Sequence, residues 1–177
     1  MKITKVTEDA VATLLDNLLK RSPNNYTGYA DKVQAIIDDV RERGDEALFE
    51  MTKRFDGADL NADNIRVTQA EIDEAYTLVD ASLIEVIRKA MTNIRVYHEK
   101  QRQYGWFDTT PDGTILGQKV TPLQSTGVYV PGGKAAYPSS VLMNVIPAKV
   151  AGVEKIVMVT PPGKDGKVNP GTLVAAN

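Results

Sequence analysis

Two short apolar runs flanking one helical stretch limit what this chain can fold into. Residues 127–130 read Gly-Val-Tyr-Val and residues 155–160 read Lys-Ile-Val-Met-Val-Thr, each the length of a buried strand. Between them lie a loop with two glycines and two prolines and then a helical segment ending at Gly152. A strand, crossover helix and strand make a βαβ unit, which requires parallel pairing and a right-handed crossover. Ligands of such units bind at the carboxyl ends of the strands. Here that end is the loop 131–140, so this loop is expected to touch whatever the chain binds.

The N-terminal stretch has a different period. Leu14, Leu15, Leu18 and Leu19 fall at helical spacing, and that helix is expected to end near Lys20, before Ser22-Pro-Asn-Asn25 and a loop reaching Gly28. Val33, Ile36, Ile37 and Val40 mark one face of a second helix, with Gly44 at its C-terminal end. Asp45 can cap a third helix running through Phe55, with Ala47, Leu48 and Met51 facing inward, and Asp56-Gly57 is a turn. Ile65 and Val67 suggest a short strand. Thr68-Gln-Ala-Glu71 and Ser82-Leu-Ile-Glu85 each match a capping box. The helix after the second is long, with Leu83, Val86, Ile87, Ala90, Met91, Ile94 and Tyr97 along it.

After Tyr104 the pattern becomes that of a hairpin: Trp106-Phe-Asp-Thr-Thr110, the turn Pro111-Asp-Gly113, then Thr114 to Val120. Asn169 can cap a new helix with Pro170 at its first position. The expected fold class is therefore α/β. A mainly helical region over 1–105 and a hairpin and connector over 106–126 precede an incomplete Rossmann-like βαβ unit over 127–177. A freshly capped helix calls for another strand, so the sheet is expected to have an unfinished edge. The sequence reads as the front part of a larger protein.

Charge and composition narrow the function. A net charge of −2 offers no electrostatic case for nucleic acid. The absence of cysteine excludes disulfides, thiolate metal sites and a cysteine nucleophile on this chain, and makes a cytoplasmic location the default. Met1 to Lys20 carries Glu8, Asp9 and Asp16, unlike a secretory signal. No run reaches the ~18 apolar residues of a membrane span.

The residues themselves leave the site open. Gly132 and Gly133 would let backbone N–H groups approach a phosphate, with the positive end of the following helix behind them. Yet the loop lacks both GxGxxG and GxxxxGK[ST] spacing, and an ordinary tight turn fits equally well. Lys134 alone reads as solvated. Tyr129 could lie against a flat ring or point into the core. Ser139 and Ser140 read as helix caps. A nucleophilic Ser140 would need a base, and the only histidine, His98, stands on another segment. A lone helical histidine is more often packed or hydrogen-bonded than catalytic. It cannot form a zinc site without further ligands. Asp38, Asp39, Glu42 and Glu46 alternate with Arg41 and Arg43, as on a solvated face with local ion pairs.

Several longer runs resemble histidinol dehydrogenase. They are Gly127-Val-Tyr-Val-Pro-Gly-Gly-Lys-Ala135, Tyr137-Pro-Ser-Ser-Val-Leu-Met143, Ile146-Pro-Ala-Lys-Val-Ala-Gly152, Val40-Arg-Glu-Arg-Gly-Asp-Glu-Ala-Leu48, Lys53-Arg-Phe-Asp-Gly57, Tyr97-His-Glu-Lys-Gln101 and Thr160-Pro-Pro-Gly163. The resemblance implies a homodimeric, zinc-dependent oxidoreductase of aldehyde-dehydrogenase-like architecture with incomplete Rossmann-like domains. Such an enzyme oxidises L-histidinol through the aldehyde to L-histidine, with NAD accepting a hydride in each step. It implies that Tyr129 contacts NAD, with Pro131, Gly132 and Gly133 as weaker candidates. The family's zinc ligands, its Glu–His pair and its other NAD contacts have no counterparts on this chain, so no catalytic or metal-ligating residue is assigned. The chain alone is expected to be inactive. His98 matches a family histidine that is not a zinc ligand. The alternative is a free-standing, non-catalytic nucleotide-binding or assembly module derived from that family.

Overall fold

The computed structural model describes residues 5–20, 27–132 and 136–177. The side chains of Leu15, Leu18 and Leu19, the loop 22–25, Gly133 and Lys134 lie outside the described residues. The chain forms two compact units, Met1–Ala47 and Leu48–Asn177.

In the first unit, α1 (Glu8–Lys20) is capped by Thr7, whose hydroxyl accepts from the Ala10 N–H at 3.2 Å. The next helix, α2 (Thr27–Arg43), takes in Gly28, so the predicted loop stops short of that residue. A glycine costs a helix least in its first turn, next to the cap. Of the predicted inward stripe, Val40 is half-buried whereas Val33, Ile36 and Ile37 are exposed. Gly44 takes φ +63°, and its N–H donates to the Val40 carbonyl at 2.9 Å. This left-handed turn leads straight into α3 (Asp45–Phe55), so Asp45 is a helical residue and not its cap. Ala47 is buried and Met51 half-buried, but Leu48 is exposed.

In the second unit no strand forms at Ile65 and Val67. Two asparagines compete for the backbone there: the Asp63 N–H donates to Asn61 Oδ1 at 2.8 Å and the Asn61 N–H to Asn64 Oδ1 at 2.7 Å. The capping box of α4 (Gln69–Leu78) is complete, with the Glu71 N–H donating to Thr68 Oγ1 and the Thr68 N–H donating to Glu71 Oε2. The second predicted box does not form. Asp80 caps α5 (Ala81–Glu99) instead, accepting the Ser82 N–H at 2.7 Å. Only one residue separates α4 and its C-cap Val79 from α5, and that residue is the aspartate.

The hairpin is β1 (Trp106–Thr109) and β2 (Ile115–Gln118), antiparallel in the register Trp106↔Gln118 and Thr109↔Ile115. The βαβ unit follows as β3 (Ser125–Tyr129), α6 (Pro138–Ala151) and β4 (Lys155–Val159), with β3 and β4 parallel and Tyr129 beside Val159. Ser139 and Ser140 do not cap α6. Pro138 occupies the first helical position, which makes Tyr137 the N-cap and draws both serines into the first turn. Gly152 ends α6 at φ +90°. Its N–H reaches the Lys149 carbonyl and that of Val153 the Ala148 carbonyl, the paired bonds of a Schellman ending.

Asn169 caps the last helix, α7 (Pro170–Ala176), accepting from the Gly171 and Thr172 N–H groups. Replacing Asn169 by alanine is expected to cost about 1 kcal/mol, read as a lower urea midpoint in a chemical melt.

The core has two parts. Ala75, Ile87, Leu142, Ile146, Leu173 and Val174 form one cluster where α4, α5, α6 and α7 meet. Val128, Val130 and Val141 form the other, holding α6 over β3. Each parallel strand thus sends alternate residues under α6, which fixes the direction in which its carboxyl end points.

Acid should loosen several helix and turn ends together. The Thr68 backbone N–H, then its hydroxyl, hold the Glu71 carboxyl below the usual range. The Ser82 hydroxyl does the same for Asp80, and the Thr110 hydroxyl for Asp112. A depressed folded-state value means stability present above the ordinary carboxylate range of about 4 and lost as pH falls through the folded value. A circular-dichroism acid titration is therefore expected to show helix loss beginning below pH ~4.

Candidate functional site

The carboxyl ends of β3 and β4 lie side by side because the strands are parallel and in register, with the Val130 N–H donating to the Val159 carbonyl at 2.9 Å. Val130 is fully buried and anchors the end of β3. Tyr129, one residue earlier, must then face the other side of the sheet, and its ring is 63% exposed. This settles the sequence ambiguity: Tyr129 is not a core tyrosine but a flat, solvent-facing ring at the carboxyl end of the strand.

Gly132 has a specific steric reason to be glycine. A Cβ there would lie 2.9 Å from the Pro161 carbonyl oxygen and 3.1 Å from Thr160 Oγ1. The loops leaving β3 and β4 therefore touch through this residue, and its smallness serves loop packing. The local sequence around Gly132 does not point to this contact. The usable signal was that parallel pairing places residues 131–132 next to residues 160–161. Pro131, two residues beyond Tyr129, is exposed. No side-chain hydrogen bond caps the start of α6. Further along the β4 loop, Lys167 Nζ pairs with Glu74 Oε2 of α4 at 3.0 Å, and the Gly163 N–H donates to the Lys167 carbonyl at 2.8 Å. Glu74 holds the Lys167 ammonium above its ordinary value.

The remaining polar candidates fall elsewhere. His98 Nδ1 donates to Gln101 Oε1 at 2.7 Å, and the ring meets Tyr97 edge-on at 5.3 Å. It lines a cleft of about 340 Å³ with Arg102, Tyr104, Pro122 and the last turns of α6 at Pro147 and Val150. Ser140 stands in the first turn of that helix, which rises about 20 Å over its length. His98 and Ser140 are thus at opposite ends of α6 and form no nucleophile–base pair. The acidic run is a solvated face: Asp39 pairs with Arg43 at 2.7 Å, Asp38 with Arg41 at 3.6 Å. The Arg43 guanidinium keeps Asp39 below the usual carboxylate range.

Chemically, an exposed aromatic ring beside two touching loops can stack a planar heterocycle and exclude water from one of its faces. Among the described residues no group of three or more His, Asp or Glu side chains could hold a metal ion, so these residues do not fit zinc. Among the described residues no helix is long and apolar enough to cross a membrane.

A family profile described as histidinol dehydrogenase matches residues 19–177. The chain is 59% identical over 159 residues to a histidinol dehydrogenase of Bacillus subtilis (strain 168), covering 89% of this chain and 37% of the relative. It is 55% identical over 161 residues to that of Heliobacterium mobile, covering 91% and 38%. A crystal structure of histidinol dehydrogenase from Elizabethkingia anophelis superposes with a TM-score of 0.78 at 37% identity, covering 84% of this chain and 34% of that one. The chain thus spans under two fifths of the length of these relatives.

Proposed function

Because the chain belongs to the histidinol dehydrogenase family, we propose that it supplies the cofactor-facing strand and loop of an enzyme that oxidises L-histidinol to L-histidine in two NAD-dependent steps. The observation that carries this reading is the exposed ring of Tyr129 at the carboxyl end of a parallel strand, where ligands of βαβ units bind. We read residues 127–177 as the opening of a Rossmann-like domain within an aldehyde-dehydrogenase-like architecture, and 1–105 and 106–126 as its helical region and connector.

NAD, when bound, supplies the hydride acceptor. The chain's own residues bind and orient. Tyr129 offers one face to a planar ring of the cofactor, and Val130, locked in the core, holds that ring's strand in place. Pro131 and Gly132 continue the same surface, Gly132 by keeping the two loops in contact. The start of α6, which no side chain caps, turns the positive end of the helix toward a negatively charged group. Gly133 lies outside the described residues and keeps its proposed role from the sequence alone. The same reading carries a cytoplasmic homodimer. Its zinc-holding side chains and proton-transfer groups are placed on none of the described residues, and the chain by itself is proposed to be inactive.

Titration of the chain with NAD, followed by backbone amide NMR, tests the site. The expected result is shift changes confined to Val128, Tyr129, Val130, Gly132, Thr160 and the first turn of α6. Changes centred on the His98 cleft, or none at millimolar NAD, would overturn the assignment.

A further inference from the structure

The cleft beside His98 lies at the C-terminal end of α6, remote from the Tyr129 loop at the start of that helix. Its volume of about 340 Å³ falls at the low end of the range for ligand pockets, about 300–1,000 Å³, which suits a small organic molecule and not a dinucleotide. Pro122, Pro147 and Val150 give it an apolar wall, and Arg102, His98 and Tyr104 supply its polar groups.

Charge decides which ligand fits. Arg102 is the only permanently charged side chain lining the cleft among the described residues, and no aspartate or glutamate lines it. The Arg102 guanidinium is held over the Tyr104 ring at 5.4 Å. Among the described residues no carboxylate stands within ion-pair distance of it. Stacking on a ring uses the face of a guanidinium and leaves its N–H edge for an acceptor. Both α5 and α6 end here, and a bare helix C-terminus would repel an anion. Their last carbonyls are already taken. The Gln101 N–H donates to the His98 carbonyl at 3.0 Å and the Arg102 N–H to the Glu99 carbonyl at 3.4 Å, while the Schellman bonds close α6. The guanidinium therefore sets the local charge. One planar fork matches one carboxylate through two parallel N–H bonds. A phosphate dianion would leave half of its charge unpaired. His98 Nδ1 is engaged with Gln101 Oε1 at 2.7 Å, so Nε2 is the ring nitrogen left for a second polar contact. The apolar wall suits a flat ring.

We propose that this cleft binds a small aromatic carboxylate, its carboxylate on the Arg102 fork and its ring against Pro122, Pro147 and Val150. The inference rests on the cleft and its charge, not on the NAD site. Benzoate is the probe, with benzyl alcohol as its uncharged counterpart and inorganic phosphate as the bare anion. In an amide NMR titration of the chain, benzoate should shift His98, Gln101 to Gly105, Thr121 and Val150, with a Kd of about 1 mM or below. Benzyl alcohol and phosphate should each bind at least tenfold more weakly. Arg102→Gln should weaken benzoate at least tenfold with an unchanged thermal melt, since the residue is exposed. Arg102→Lys keeps the charge but not the fork, and should fall between the two. Equal binding of benzoate and benzyl alcohol, phosphate binding as tightly as benzoate, shifts centred on the Tyr129 loop, or undiminished binding by Arg102→Gln would overturn the proposal. Failure of NAD to shift the Tyr129 loop would instead count against the functional reading and leave this cleft standing.

Discussion

Leu142→Ala is expected to lower the stability of the Leu48–Asn177 unit by about 2–5 kcal/mol, the range for removing a buried leucine side chain. Leu142 is 4% exposed and belongs to the cluster with Ala75, Ile87, Ile146, Leu173 and Val174. That cluster is the junction of four helices, and α7 is only seven residues long, too short to persist without packing. The cavity would open at the point where α6 is clamped between its neighbours, so little local collapse can relieve it. Against a typical total of about 5–15 kcal/mol the loss is large enough to populate unfolded chains at room temperature. Urea unfolding should show a lower midpoint with an unchanged slope. Met143→Ala is the matched control. Its side chain is 58% exposed on the same helix, and its effect should stay within about 0.5 kcal/mol.

Tyr129→Ala should act in the opposite way, leaving stability nearly unchanged and weakening NAD binding. Stacking of a base on an aromatic side chain is worth about 1–3 kcal/mol by alanine substitution, which corresponds to roughly a 5- to 150-fold rise in Kd for NAD. Tyr129→Phe keeps the ring and should stay within about threefold of the unsubstituted chain, because stacking and not the hydroxyl carries the contact. Calorimetric titration of the three proteins, with thermal melts alongside, separates the two effects. Equal affinity in all three would remove Tyr129 from the site.

Where local chemistry decides the structure, the sequence was a sufficient guide. The helices α1 to α5, the Thr68–Glu71 box, the Asn169–Pro170 start, the hairpin and the parallel βαβ unit are all present among the described residues. Failures came where two local signals competed. Ser82 lost the cap to Asp80 because α4 leaves a single residue free, and Ser139 and Ser140 lost it because Pro138 claims the first helical position. Ile65 and Val67 carry a strand-like composition, but the asparagine turn before them uses the backbone otherwise.

The candidate site was legible as a loop but not as a surface. Which way Tyr129 faces follows from the burial of Val128 and Val130, a three-dimensional fact that a four-residue apolar run cannot reveal. The reason for Gly132 depends on residues about thirty positions away in the β4 loop, and only the parallel register brings them together.

The proposed role is in the two-step oxidation of histidinol. Its most direct test is the stoichiometry of NADH and L-histidine formed from L-histidinol by the protein as purified from its native source, with intact mass recorded on the same sample. A sample with a mass near that of the full-length relatives should give two NADH per L-histidinol consumed, one L-histidine formed, and no NADH when histidinol is left out, whereas a 19.3 kDa sample should form none. Absence of histidinol-dependent NADH from a sample of the longer mass, turnover by a 19.3 kDa sample, or one NADH per substrate with the aldehyde accumulating would overturn that role.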